Sequence, residues 1–348
     1  MRRVLVTGGS GYVGSALVPV IAQRYSVRVL ETMMFGNSIE GTPNVEFIKG
    51  DIRDRGAVSE ALRDVTDVIH LAGIVTDELV DMNPILATEV NNTAMHQLCE
   101  LAARGGIQRF IYASSSSVYG AQSEVCTEET IPNPMTAYAK TKLEGERILD
   151  DYARPTVDVT GFGKPEHSEV VFTDEGMTTV SVRCATLCGP APRMRLDTIV
   201  NVFSKQAWFD GRITVHGGSQ YRTNINVQDA VNFYAFLLDA PAERIAGRCF
   251  NLTHGNHTAL ALAQLVRDRA LLFGRNVEIV VDLTKHDPRS YRMDASRMRQ
   301  ELGVRLRYTL ADAIDANFRW FQDGNIKDPN DDLYYNNRRM APLMRGER

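Results

Sequence analysis

Gly8, Gly11 and Gly14 fall directly after an apolar run, in Val4-Leu5-Val6-Thr7-Gly8-Gly9-Ser10-Gly11-Tyr12-Val13-Gly14. This spacing constrains the fold more than any other feature of the chain. Glycines here permit a tight turn, a close approach of backbone to a pyrophosphate, and packing of the following helix on a sheet. The helix N-terminus then offers free N–H groups to an anion. A glycine triplet alone is a weak signal, but its setting strengthens it. A β-rich run precedes it, the amphipathic segment Gly11–Gln23 follows, and Glu31 closes the next run. An acid at that place accepts hydrogen bonds from a ribose diol and repels a 2′-phosphate. Thr32 and Met33 follow it with no arginine, which favours NAD over NADP.

The first half alternates strand-like runs (Val4–Thr7, Val27–Glu31, Val45–Gly50, Val68–Ala72, Arg109–Ser114) with helical patterns (Arg55–Leu62, Ile85–Arg104). That alternation predicts βαβ units, a buried parallel sheet and a doubly wound α/β fold. A further helix is expected over Ala137–Tyr152, with Glu144 and Glu146 exposed. Ala153–Thr178, rich in Gly, Pro, Asp and Glu, reads as a surface excursion before the strand Thr179–Arg183. Later elements are a helix at Val227–Leu238, a strand at Cys249–Leu252 and helices at Ala259–Leu271 and Ala311–Asp323. The expected division is a dinucleotide-binding domain over 1–186 plus about 222–254. A smaller α/β substrate lobe takes 187–221 and 255–324, and a polar tail, 325–348, hugs the surface or frays.

The 348 residues carry a net charge of −4, which excludes a nucleic-acid footprint, so any anion must be met by placed arginines. Five cysteines, an odd count with no Cys-x-x-Cys, argue against a disulfide framework and a metal site and for a reducing cytoplasm. The apolar run after Met1 is too short for a signal core, and no stretch is long enough to span a membrane.

Tyr138 and Lys142 stand four apart and share a face on the expected helix. A phenol near pKa 10 is a poor base at neutral pH, and a neighbouring ammonium and a positive nicotinamide ring would both lower it. Chance supplies many Tyr-x-x-x-Lys pairs. The serine cluster Ser114-Ser115-Ser116-Ser117 at a preceding strand end changes that weighting, because ligands bind at the carboxyl edge of parallel strands.

These segments together resemble the extended short-chain dehydrogenase/reductases that act on nucleotide sugars, over roughly residues 1 to 323. The resemblance rests on Gly8-x-x-Gly11-x-x-Gly14, Gly50-Asp51-Ile52-Arg53-Asp54, Leu71-Ala72-Gly73, Asn91 in Val90-Asn91-Asn92-Thr93, and the Ser–Tyr–Lys set. It implies cofactor contacts from Gly8, Gly11, Tyr12, Val13, Gly14, Glu31, Asp51, Ile52, Leu71, Ala72, Gly73, Asn91, Tyr138 and Lys142. It picks Ser115 as the catalytic serine beside Tyr138 and Lys142, with Ser114 or Ser116 filling the role if the turn is shifted by one. For the substrate, a nucleotide-diphosphate sugar, it implies Ser115, Ser116, Asn201, and a diphosphate grip by Arg222 and Arg289; Arg193 and Arg195 are weaker candidates for substrate anions. Thr186 and Cys188 depart from the family's usual Asn and Tyr.

The family's 4,6-dehydratases place Asp-Glu directly after the active-site hydroxyl residue, where this chain has Ser116 and Ser117. The resemblance therefore points to an NAD-dependent 4-epimerase working through a transient 4-keto sugar. A nucleotide-sugar dehydrogenase or ketoreductase is the alternative, and a catalytically silent NAD-binding scaffold is the third reading. Relatives pair through two long helices, so a homodimer through Ile85–Arg104 and Ala137–Tyr152 is expected.

Overall fold

The computed structural model describes residues 2–347 apart from 154–155, 159–169, 173–175 and 285–288. Its centre is a parallel sheet of strands β1 (Arg3–Thr7), β2 (Ser26–Glu31), β3 (Val45–Lys49), β4 (Asp67–His70), β5 (Arg109–Ser115), β6 (Thr178–Cys184) and β7 (Arg248–Leu252). The spatial order is β7-β6-β5-β4-β1-β2-β3, with all six neighbouring pairs parallel. Val4, Leu5 and Val6 are all fully buried, because both faces of the sheet carry helices. Val4 and Val6 join the cluster beneath helices Tyr12–Ile21 and Val227–Asp239. Leu5, pointing the other way, joins Val58, Met95, Leu98 and Ile148. The strand order reverses between β1 and β4, and in such sheets that reversal opens a crevice at the carboxyl ends.

The segment expected as one helix from Ile85 is helical from Pro84 to Arg104, but it contains a π turn over Glu89–Thr93. Asn91 lies in that turn and is buried. Its side chain accepts from the Ile74 amide at 2.8 Å and donates to the Ile74 carbonyl at 3.0 Å and to Thr141 Oγ1 at 3.1 Å. The extra residue of a π turn re-aims a side chain within an otherwise regular helix.

Helix Ala137–Asp150 starts at Thr136, whose hydroxyl accepts from the Ala139 amide. It lies so close to β5 that a Cβ at Gly145 would stand 2.3 Å from Tyr112 Oη. Glu146, expected on the exposed side, is buried instead. It pairs with Arg183 of β6 at 2.8 Å, each side chain only 8% exposed. Helical periodicity gave no sign of this, because the partner is supplied by a strand 37 residues away.

A second apolar cluster includes Phe203, Leu262, Val266, Ile314 and Phe318. Around it lie helices Ile199–Lys205, Ala259–Leu271 and Leu310–Gln322, with a parallel pair, Arg212–His216 and Glu278–Asp282. A three-stranded sheet joins Thr186–Cys188, Tyr221–Asn226 and Gly255–Thr258. The excursion expected over Ala153–Thr178 lies mostly outside the described residues; its strands Thr156–Asp158 and Val170–Phe172 pair antiparallel.

The tail does not fray. It forms helix Asn336–Met344, whose Met340 and Met344 are buried in one cluster with Ile74, Leu79, Val80 and Ala87. Asn83 Nδ2 donates to the Met344 carbonyl at 2.9 Å, fastening the helix to the first half of the chain. No helix among the described residues is long and apolar enough to cross a membrane.

Tyr112 is 1% exposed and has nowhere to retreat. Gly145→Ala should therefore lower unfolding stability by about 1–3 kcal/mol, the range for overpacking a filled core. Urea melts of the two proteins measure this, and equal midpoints would mean that helix and strand are less closely apposed.

Candidate active site

Two cavities meet over the carboxyl ends of β1, β4 and β5. The first is lined by Gly8, Gly11, Tyr12, Val13, Gly14, Glu31, Asp51, Ile52, Leu71, Ala72, Gly73, Tyr138 and Lys142, all singled out in the sequence for a cofactor. Gly8 adopts φ +73°, and a Cβ there would lie 2.7 Å from the Ala72 amide nitrogen. A Cβ at Gly14 would lie 2.5 Å from the Gly8 carbonyl oxygen. These glycines let the turn, the first helix and the segment after β4 share one small volume, leaving the N-terminus of helix Tyr12–Ile21 open to an anion.

Glu31 sits at the end of β2 and accepts from the Ser10 amide at 3.3 Å and the Thr32 amide at 2.9 Å. Burial works to raise the Asp51 carboxyl, but the hydrogen bonds and charge of Arg53 hold it below the usual range. Asn91 does not line the cavity. It acts from behind, clamping Ile74 next to Gly73. An acid at the second strand end, a glycine cradle and a helix N-terminus fit a dinucleotide.

The second cavity is a cleft lined by Ser115, Ser116, Arg195, Arg222, Arg289 and Tyr291, among others. Ser114, Tyr138 and Arg195 line both cavities. Each serine of the cluster has a distinct partner. Ser114 donates to the buried Glu146 carboxylate. Ser116 shares a hydrogen bond of 2.8 Å with the Tyr291 hydroxyl. Ser115 Oγ accepts from the Ser117 amide at 3.2 Å and the Ser117 hydroxyl at 2.9 Å, and it bonds to Tyr138.

Burial pushes the Tyr138 phenol up to about 12, against the lowering effects of Ser115 and Arg195. Lys142 is itself depressed to about 8 by burial. Its ammonium donates to the Ala113 carbonyl at 2.8 Å and stands 5.0 Å from the Tyr112 ring centre. His70, near the same amine, is pushed down to about 3 by burial and by Lys142, so it is neutral. Its Nδ1 pairs with Thr7 Oγ1 at 2.7 Å.

Among the expected substrate residues, Arg222 donates to the Arg289 carbonyl at 2.5 Å, and Arg289 pairs with Asp77. Asp287 and Pro288, part of the segment around Arg289, lie outside the described residues. Asn201 is the correction. It is fully buried and lines neither cavity. Its Oδ1 accepts from the Gly189 amide at 3.0 Å and from Asn317 at 2.9 Å. Its Nδ2 donates to Tyr12 Oη at 3.1 Å and to the Arg195 carbonyl at 2.8 Å. With these groups engaged, Asn201 positions the chain around Gly189 rather than a ligand.

Arg193, read as a candidate for substrate anions, lines only the first cavity. Phe35, Asn336 and Met340 also line that cavity and were not anticipated. The two residues from the tail carried no local signal, since their docking surface is formed by 74–87.

A family model, that of the NAD dependent epimerase/dehydratase family, matches residues 4–253. A putative UDP-glucose 4-epimerase of Methanocaldococcus jannaschii is 32% identical over 43% of this chain, and the match spans about half (51%) of that relative. A dTDP-glucose 4,6-dehydratase of Streptomyces niveus is 25% identical over 92% of this chain and 93% of its own length. The fold is shared with a Thermus thermophilus UDP-glucose 4-epimerase solved with NAD, at a TM-score of 0.74 and 24% identity over 92% of this chain and 99% of that one.

Because Lys142 falls from 10.5 to about 8 on burial, the folded protein bears the full penalty of its charge below pH 8. The penalty fades as pH rises from about 8 towards 10.5, where the unfolded chain also loses the proton. Lys142→Met should therefore gain stability relative to the wild type, stripped of cofactor, most at pH 7 and least near pH 10. Denaturant melts at both values test this, and a gap that does not change with pH would refute it.

Proposed function

Taking as premise that the chain belongs to the NAD dependent epimerase/dehydratase family, with NAD as its cofactor, we propose that it is a nucleotide-sugar 4-epimerase. The observation that carries this reading is the state of the carboxylates around the cleft. A dehydratase needs an acid and a base free to eliminate water across C5 and C6. Ser116 and Ser117 occupy the positions where a carboxylate pair would serve, and their hydroxyls bond to Tyr291 and Ser115. Of the cleft's own carboxylates, Asp197 is held by Arg195 and Glu78 by Asn337, while Asp77 pairs with Arg289 until a diphosphate takes that arginine. Alcohol–ketone chemistry needs none of them.

Tyr138 takes the proton of the sugar's C4 hydroxyl, and Ser115, with Ser117 bonded to its oxygen, donates its own hydrogen to the same carbinol oxygen. Bound NAD supplies the hydride acceptor and donor and, when oxidised, a positive charge that favours the ionised phenol. Lys142, tied to the Ala113 carbonyl, keeps further N–H bonds for the cofactor ribose. Arg222 and Arg289 hold the nucleotide diphosphate, guanidinium forks matching phosphate oxygens in pairs. The keto sugar, anchored by its nucleotide, turns its other face and is reduced there.

Incubation with UDP-, dTDP- and GDP-sugars should give C4-inverted product without added reductant. Net accumulation of NADH would instead identify a dehydrogenase, and a 4-keto-6-deoxy product a dehydratase. Tyr138→Phe should retain fold and NAD binding but lose at least about 10²-fold in turnover, the low end for general acid–base catalysis. Unchanged turnover in that variant would remove Tyr138 as the base.

A further inference from the structure

We infer that Arg193 is the counter-cation for the cofactor's diphosphate, held in place by Phe35 and the tail helix. Arg193 is only 5% exposed and makes no carboxylate ion pair among the described residues. Its Nε is buried with no hydrogen-bond partner. Its remaining contacts orient the guanidinium without neutralising it. The group lies 3.8 Å from the Phe35 ring centre, and one Nη donates to Asn336 Oδ1 at 2.6 Å. Burial lowers its pKa to about 10. Arg195, two residues on, differs in being paired with Asp197 at 2.5 Å.

A buried cation with no carboxylate in contact is costly, and an anion that joins it offsets that cost. The position says which anion. The Arg193 amide donates to Ser15 Oγ at 3.0 Å, and Ser15 belongs to the first turn of helix Tyr12–Ile21, beside the glycine cradle. That turn is where the free N–H groups of a ten-residue helix meet a diphosphate. The guanidinium lines the cofactor cavity and is absent from the lining of the cleft that would take the sugar nucleotide. The diphosphate thus receives helix amides from one side and a planar fork from the other. The tail helix, through Asn336, orients that fork.

The test uses the full chain stripped of cofactor, with calorimetric titration of NAD, ADP, adenosine and UDP. Arg193→Met keeps an apolar stem against Phe35 and removes the charge. Its dissociation constants for NAD and ADP should rise at least about tenfold, as expected for losing a charge-assisted bond. Adenosine, which lacks the diphosphate, and UDP, aimed at the cleft, should bind as before. Without ligand the variant should melt at the same temperature or higher, since a buried unpaired charge has gone; a merely structural arginine would instead lower it. Asn336→Ala, which leaves the charge but frees the fork, should weaken NAD and ADP by a smaller factor. Wild-type ADP affinity in Arg193→Met, an equal loss for adenosine, or a loss confined to UDP would each overturn the assignment.

Discussion

The site depends first on the buried pair between Glu146 and Arg183. Glu146 lies one helical turn beyond Lys142 and two beyond Tyr138, on the same face of helix Ala137–Asp150. Arg183 belongs to β6, and its Nε and Nη2 both reach the Glu146 carboxylate. Ser114, the neighbour of Ser115, donates to that same carboxylate. One desolvated acid therefore locks the helix carrying the phenol and the amine to the strand end carrying the serine. Such a pair is tolerable in the interior only when its remaining hydrogen-bonding groups are satisfied. Arg183 Nη1 reaches the Tyr119 hydroxyl at 3.1 Å, which in turn donates to Asn251 at 2.7 Å and ties in β7. Gly145, pressed on Tyr112, lets the helix come near enough for the pair to form.

Two cavities share Tyr138 and Ser114, but they differ in how their charges are managed. In the cleft, Arg195 and Arg289 are matched by Asp197 and Asp77. On the proposed reading, an incoming sugar nucleotide meets Arg289 only by taking it from Asp77, so that substrate exchanges one anion for another. The cofactor side has Arg193 in no ion pair with a carboxylate among the described residues, and is flanked by Phe35 and Met340. The asymmetry suits a chemistry in which a redox group stays through many cycles while the sugar comes and goes.

Local signals made much of this legible. The glycine spacing and the alternation of runs led directly to the sheet, since a doubly wound fold is a local pattern repeated along the chain. Tyr138 and Lys142 needed only helical spacing to be set on one face. What escaped the sequence was decided by partners distant along the chain. Glu146 looked like a solvated acid until Arg183 met it, and Asn201 looked like a ligand contact although Gly189 and Asn317 engage it. The tail is polar, with Met340 and Met344 as a thin stripe whose surface is built by residues some 260 positions earlier. The phenol was expected to be lowered by its lysine. In the protein alone Ser115 and Arg195 do the lowering, and burial outweighs both.

The π turn at Glu89–Thr93 sets a further condition on the chain. An added residue that keeps a helix hydrogen-bonded rotates everything beyond it by about 100°. Deleting any one residue of this turn other than Asn91 would let the segment anneal into an uninterrupted α-helix, with its circular dichroism preserved. The amide of Asn91 would then swing away from Ile74 and Thr141, releasing the strip after β4 that borders the dinucleotide crevice. A helix more regular by every spectroscopic measure would thus serve a looser crevice, and a cofactor titration on such a deletion would show whether the irregularity is needed.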